Sequence, residues 1–172
     1  MVNSYDQQEL AKLIKRNSDE RFASRIAAAI VAARPVTGTN ELAEIVVNAI
    51  PAPARRRGGH PAKRTFQAIR IEVNDELAIL APALDRVLDA LLPGGRGIVI
   101  TYHSGEDRIT KNVFRERTAD DRPRDMPVDP VGVVGPDFEI VRPMARRPQE
   151  AEIAENPRAA SARLRAIERI AA

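Results

Sequence analysis

Pro93-Gly94-Gly95-Arg96-Gly97-Ile98-Val99-Ile100-Thr101-Tyr102-His103-Ser104-Gly105-Glu106 contains the change of pattern on which the fold turns. Ahead of it, Leu84, Val87, Leu88 and Leu91 recur at helical spacing. Pro93-Gly94-Gly95 stops that helix. Gly97 to Tyr102 is then a short β-branched run, and such a run bounded by a glycine turn reads as a strand. A helix, a stop and an apolar strand together predict a crossover into a parallel strand, and hence an α/β sheet. Glu106 and Asp107 open the helix that follows, carried by Ile109, Val113 and Phe114. Ligands of open α/β sheets gather at the carboxyl ends of strands. His103, Ser104 and Glu106 are therefore the candidate catalytic residues. The bland reading is that the acids favour the positive end of a helix. Pro93 to Gly97 is glycine-rich but precedes a strand, the wrong order for a phosphate cradle.

Upstream, Pro61 is read as opening a long helix with an apolar stripe of Phe66, Ile69, Val73, Leu77 and Leu80. Pro82 is read as the first residue of a new helical turn. Beside the apolar stripe runs a polar one, Lys63, Gln67, Arg70 and Asn74. Gln and Asn in line with Arg suggest a hydrogen-bonded surface facing a partner. Further upstream, residues 4–50 read as a three-helix lobe. Ser4 and Gln7 fit a capping box. Phe22, Ile26, Ile30 and Ala33 make a second helix, and Leu42, Ile45, Val46 and Ala49 a third. Arg55-Arg56-Arg57-Gly58-Gly59 is a basic loop, equally a solvated linker or a phosphate contact.

Downstream, residues 119–136 read as a long irregular loop. Phe138 to Val141 is a strand, Glu150 to Glu155 a short helix, and Arg163 to Ile167 a last strand.

Whole-chain numbers limit the function classes. The 172 residues contain no cysteine, which excludes disulfides, Cys-based zinc sites and a cysteine nucleophile. The two histidines, His60 and His103, lack a partner at metal-ligand spacing, so no metal site is expected. No nucleophile elbow is present. No apolar run approaches the ~20 residues that span a membrane, and a cytoplasmic address is expected. Aromatic residues make up 3%, so aliphatic side chains must fill the core. The net charge is only +3, but 23 of 27 basic residues are Arg. Guanidinium binds phosphate bidentately and stacks on bases, although a GC-rich coding sequence produces the same bias.

Three stretches carry a resemblance: His60 to Leu77, Leu92 to Lys111, and Asn156-Pro157-Arg158 with Arg163-Leu164-Arg165. In this order they resemble the RsmH/MraW family, methyltransferases of small-subunit ribosomal RNA. Glu20-Arg21-Phe22-Ala23 and Arg25-Ile26-Ala27 resemble that family's inserted helical lobe. The resemblance implies a partial doubly wound methyltransferase sheet, with a helical lobe at 1–58 and the C-terminal part of the methyltransferase domain at 59–172. It implies S-adenosylmethionine as methyl donor and the exocyclic amine of a cytosine in the decoding region as target. Lys63, Arg64, Gln67, Arg70, Asn74 and Arg158 are the candidate RNA contacts. Ribosomal RNA or the small subunit is the expected partner, together with a missing N-terminal half. The family's glycine-rich loop and cofactor contacts have no counterpart here, so the chain is not expected to bind S-adenosylmethionine alone. Gly105 stands where the family usually has Leu, and Tyr102 where it has Phe. Two other readings remain: a non-catalytic RNA-binding module, and an inactive remnant.

Overall fold

The computed structural model describes residues 1–56, 59–120 and 136–170. Arg57 and Gly58 of the basic loop, and most of the expected loop at 119–136, lie outside the described residues. The chain divides into two compact units, Met1–Glu76 and Leu77–Ala172. This division by packing falls beyond the 58/59 boundary drawn from the family resemblance, because the helix after the basic loop packs on the first helix of the chain.

Unit 1 contains α1 (Gln7–Ser18), α2 (Ala23–Ala32), α3 (Thr39–Ala49), α4 (Ala52–Arg55) and α5 (Lys63–Val73). α1 starts later than a Ser4 cap would place it. Asp6 is the N-cap, its side chain accepts from the Glu9 amide (2.8 Å), and the Glu9 carboxylate accepts from the Asp6 amide (3.0 Å). That reciprocal pair satisfies two of the amides a helix start leaves open. The core is aliphatic: Leu10, Ile14, Ile26, Ile30 and Val46 are fully buried.

The face of α5 differs from the expected stripe. Thr65, Ala68 and Ile71 are the buried residues, and Val73 is 66% exposed. Small side chains let α5 approach α1 closely, and Asn17 uses that closeness. It is buried, and its Nδ2 donates to the Ala68 carbonyl (3.2 Å) and to Glu72 Oε2 (3.3 Å). Phe66 and Ile69 pack at the margin of the core. The long stripe is broken at Asn74-Asp75, where Asp75 adopts φ 51° and turns the chain into α6.

Unit 2 holds most of α6 (Glu76–Asp89), then β1 (Arg96–Thr101), α7 (Ser104–Arg117), β2 (Phe138–Ile140), α8 (Glu150–Glu155), a 3-10 turn (Pro157–Ser161) and β3 (Arg163–Arg169). α6 runs unbroken through Pro82, so Pro82 does not restart a helix. Among the described residues the expected strand has no parallel partner. The sheet order is β1-β3-β2 and both pairings are antiparallel, with Gly97 opposite Ile167 and Ile140 opposite Ile167. The pattern of a helix, a stop and an apolar run identifies a strand but carries no information on which neighbour it takes.

Among the described residues the buried core of this sheet lies on one face. Leu84 and Leu88 of α6 and Val113 and Phe114 of α7 form a core with Phe138 and Ile167. Arg165 reaches from the covered face to Asp107 in a bidentate pair (2.8 and 3.0 Å). Arg117 ties α7 to α6 through Asp85 (2.9 Å) and Asp89 (2.7 Å). On the other face Ile98 and Ile100 are 62% and 53% exposed. The continuous apolar run, whose pattern suggests burial on both faces, is thus buried on one. A doubly wound sheet carries helices on both faces; here the mixed α/β character holds, with the buried core on one face of a small antiparallel sheet. Among the described residues no helix is long and apolar enough to cross a membrane.

Two stability tests follow from unit 1. Asn17→Ala removes the buried amide that ties α1 to the Ala68 carbonyl and to Glu72 and is expected to cost about 1–3 kcal/mol in urea denaturation. Glu41 sits where Thr37 donates to it from the amide (2.8 Å) and the hydroxyl (3.0 Å), which lowers its pKa, the amide contributing most. A carboxyl depressed in the folded state stabilises above its unfolded pKa, and that gain is lost as pH falls through the folded value. Wild type should therefore melt above Glu41→Gln at pH 7, and the gap should close as pH drops below the ordinary carboxylate range.

Candidate nucleic-acid interface

The candidate residues fall into three places, each built separately. In unit 1, Lys63 and Arg64 form the exposed first turn of α5. Gln67, Arg70 and Asn74 continue along the same helix, as their spacing predicts, but the far end of the stripe is engaged. Arg70 makes a bidentate pair with Glu76 (2.8 and 2.9 Å), and Asn74 Nδ2 donates to Glu76 Oε1 (3.0 Å). A phosphate reaching Arg70 would compete with that carboxylate. Lys63 and Arg64 carry no ion pair among the described residues, so the phosphate-binding capacity of the helix concentrates at its start.

Next to that start is a groove of about 580 Å³. Arg21 and Phe22 from the turn before α2 line it with His60, Lys63 and Arg64, and the Glu20 carboxylate is part of its wall. Sequence reasoning misses Glu20, Arg21, Phe22 and His60 as site residues. It places the first three within a family-like stretch, with Phe22 also on a helix face, and reads His60 as the start of another such stretch and as a histidine without a metal-binding partner. The signal that could have found them is their alternation of cation, aromatic and carboxylate around helix starts, which becomes meaningful only once the helices are brought together.

In unit 2, His103, Ser104 and Glu106 do meet, at the turn from β1 into α7. Their geometry is that of a cap. His103 is the N-cap and its Nδ1 accepts from the Glu106 amide (3.4 Å). The Glu106 carboxylate accepts from the amides of Tyr102 (2.7 Å) and His103 (3.3 Å). His103 Nε2 lies 3.2 Å from Glu106 Oε1 yet out of hydrogen-bond alignment, so this buried nitrogen has no hydrogen-bond partner among the described residues. Gly105 makes room for the ring: a Cβ there would meet His103 and Leu77 at 3.2 Å. Ser104 is exposed at the first position of α7. The turn is closed by its own side chains, and the space beside Gly105 is filled by an imidazole; it offers no cradle of open amides that a cofactor could enter.

Arg158 lies in the third place, a groove of about 670 Å³ on the bare side of the sheet. Ile100, Tyr102 and Leu164 form its apolar part and Arg146, Arg147 and Arg158 its cationic part. Tyr102 is 57% exposed. The described residues contain no cluster of three metal-ligating side chains.

A sequence profile described as the MraW methylase family matches residues 1–170. A protein of Salinispora tropica named ribosomal RNA small subunit methyltransferase H is 55% identical over 173 residues, covering 99% of this chain and 46% of the relative. Its namesake in Renibacterium salmoninarum is 52% identical, over 99% of this chain and 52% of the relative. One in Pseudarthrobacter chlorophenolicus is 50% identical, over all of this chain and 53% of the relative. The chain thus spans about half the length of the curated relatives it matches.

The cap gives a direct test. Glu106→Ala removes the acceptor for two amides and should destabilise unit 2 by about 1 kcal/mol. Glu106→Gln, which can still close the box, should retain most of that stability in the same denaturant titration.

Proposed function

The chain belongs to the MraW methylase family, and on that footing we propose that it is the RNA-reading part of an enzyme that methylates the exocyclic amine of a cytosine in small-subunit ribosomal RNA. The observation that carries the reading is the match over residues 1–170, with relatives at 50–55% identity that are named as methyltransferases of that RNA. The exposed cations at the start of α5, outside any ion pair among the described residues, supply the physical support. Lys63 and Arg64 hold phosphates; Gln67, Arg70 and Asn74 face base edges, with Glu76 setting the orientation of Arg70 until RNA displaces it. Arg158 contributes phosphate binding from its own groove.

The β1–α7 turn with His103, Ser104 and Glu106 is proposed as a wall of the target-base pocket. His103 and Glu106 hold its shape through the cap, and Ser104 is the group nearest the reacting amine. S-adenosylmethionine is the methyl donor in this reading. The residues of the β1–α7 turn do not fit that cofactor, since the turn is filled by His103 and tied by Glu106. We therefore assign the cofactor cradle to the part of the relatives that this chain does not span, and the cytoplasm, where ribosomes are modified, as the place of action.

The test has two steps. Filter binding of this chain to a small-subunit decoding-region RNA should weaken steeply with salt. Lys63→Ala with Arg64→Ala should lower the salt slope by about one for each phosphate that is no longer neutralised. Mixing the chain with the N-terminal half of the Salinispora tropica relative, labelled S-adenosylmethionine and small subunits should then place label on a cytosine amine. Salt-dependent binding without any labelling in the mixture would favour a non-catalytic RNA-binding module; neither binding nor labelling would leave an inactive remnant.

A further inference from the structure

The groove beside the start of α5 contains a feature that a general phosphate-binding surface does not need. Glu20 is only 4% exposed, and it lines the groove. Its Oε1 accepts from the Phe22 amide (2.9 Å). Its Oε2 accepts no hydrogen bond among the described residues, so it is left available to a donor that enters the groove. Around it stand Arg21, Lys63 and Arg64, none in an ion pair among the described residues, so Glu20 is not there to neutralise a neighbour. The Arg21 guanidinium lies over the Phe22 ring, 4.9 Å from its centroid. It presents a flat, pre-ordered cationic surface on which a base can stack. His60 Nδ1 accepts from the Ala62 amide (3.2 Å), which leaves the proton of the neutral ring on Nε2, as a donor.

We propose that this groove is a subsite for one unpaired guanine nucleotide of the RNA; the inference rests on the RNA-reading function proposed above. The reasoning is chemical. A carboxylate is matched by two parallel N–H donors, as in its pairing with guanidinium. Guanine alone among the four bases offers that pair on its Watson–Crick edge, from N1 and the exocyclic amine. Cytosine and adenine place an acceptor nitrogen beside their amine, and uracil flanks its single N–H with two carbonyls, so each of these repels one carboxylate oxygen. The base stacks on Arg21, its edge meets Glu20, and its phosphates meet Lys63, Arg64 and the His60 Nε2–H. A lysine or arginine side chain of a protein partner would also satisfy Glu20, but the three cations around the groove disfavour it.

The experiment is fluorescence anisotropy of this 172-residue chain with four uridine pentamers that differ only at the centre: G, C, A or U. The guanine pentamer should bind about 10-fold tighter than the others, within the range of one bidentate base contact. Glu20→Gln, which can still accept from the Phe22 amide, should erase that preference and leave the uridine pentamer unchanged. Inosine at the centre lacks the exocyclic amine and should lose most of the preference without any change to the protein, which keeps the test sound if Glu20→Gln fails to fold. Equal binding of all five pentamers, with the long decoding-region RNA still bound in a salt-dependent way, would overturn the subsite and leave the RNA-reading function standing. Loss of binding to the long RNA as well would overturn both.

Discussion

The amide of Asn17 lies buried where α1 meets α5, and the helical unit is organised around it. It donates to the Ala68 carbonyl, a group already inside a helix, and to Glu72, which also receives Arg16 (2.7 Å). A buried amide is tolerated only when its donors are satisfied, so α5 has one depth and one rotation against α1. Thr65 and Ala68, rather than Phe66 and Val73, must then face inward. That rotation directs Lys63 and Arg64 outward at the helix start, beside the turn that carries Glu20, Arg21 and Phe22. The cationic groove is thus a consequence of a hydrogen bond made further along the same helix.

Local chemistry makes much of this legible from the residues alone. The three helices of the lobe, the strand within Gly97 to Tyr102 and the bounds of the short Glu150–Glu155 helix follow from periodicity and stop residues. Pairing and rotation do not. A helix leading into β1 suggests a parallel strand, whereas β3, the last strand, sits between β1 and β2 and makes both pairings antiparallel. The large apolar side chains of α5 suggest its buried face, whereas close helix approach selects small ones. At the site, proximity in sequence brings His103, Ser104 and Glu106 together, and their hydrogen bonds are those of a helix start. Glu20 and His60 cannot be joined from sequence, since they lie far apart along the chain and only the packing of α5 closes the gap.

Unit 2 combines a well-tied face with a bare one. On the first, Arg165 with Asp107 and Arg117 with Asp85 and Asp89 bind sheet to helix and helix to helix. Arg117 and Arg169 also lie over the Phe138 ring, 5.9 and 5.8 Å from its centroid, so cations line the margin of a core that contains Phe114 and Phe138 among its buried side chains. On the second, Ile98, Ile100 and Tyr102 stand in solvent, the two isoleucines on an edge strand. Edge strands with apolar side chains are templates for further pairing, and the relatives, about twice as long, have polypeptide to spare for covering such a face.

The position of β3 also sets an order of events in time. The strand that joins β1 to β2 is made of residues 163–169, and its first residue follows the last of β1 by 62 positions. During synthesis β1 has no partner within the described sheet until that strand has emerged, whereas every helix of unit 1 is complete by Val73. Domains generally fold as units in the order they are made. The helical unit can consolidate on the nascent chain; the sheet must wait for β3, with Ile98 and Ile100 exposed throughout.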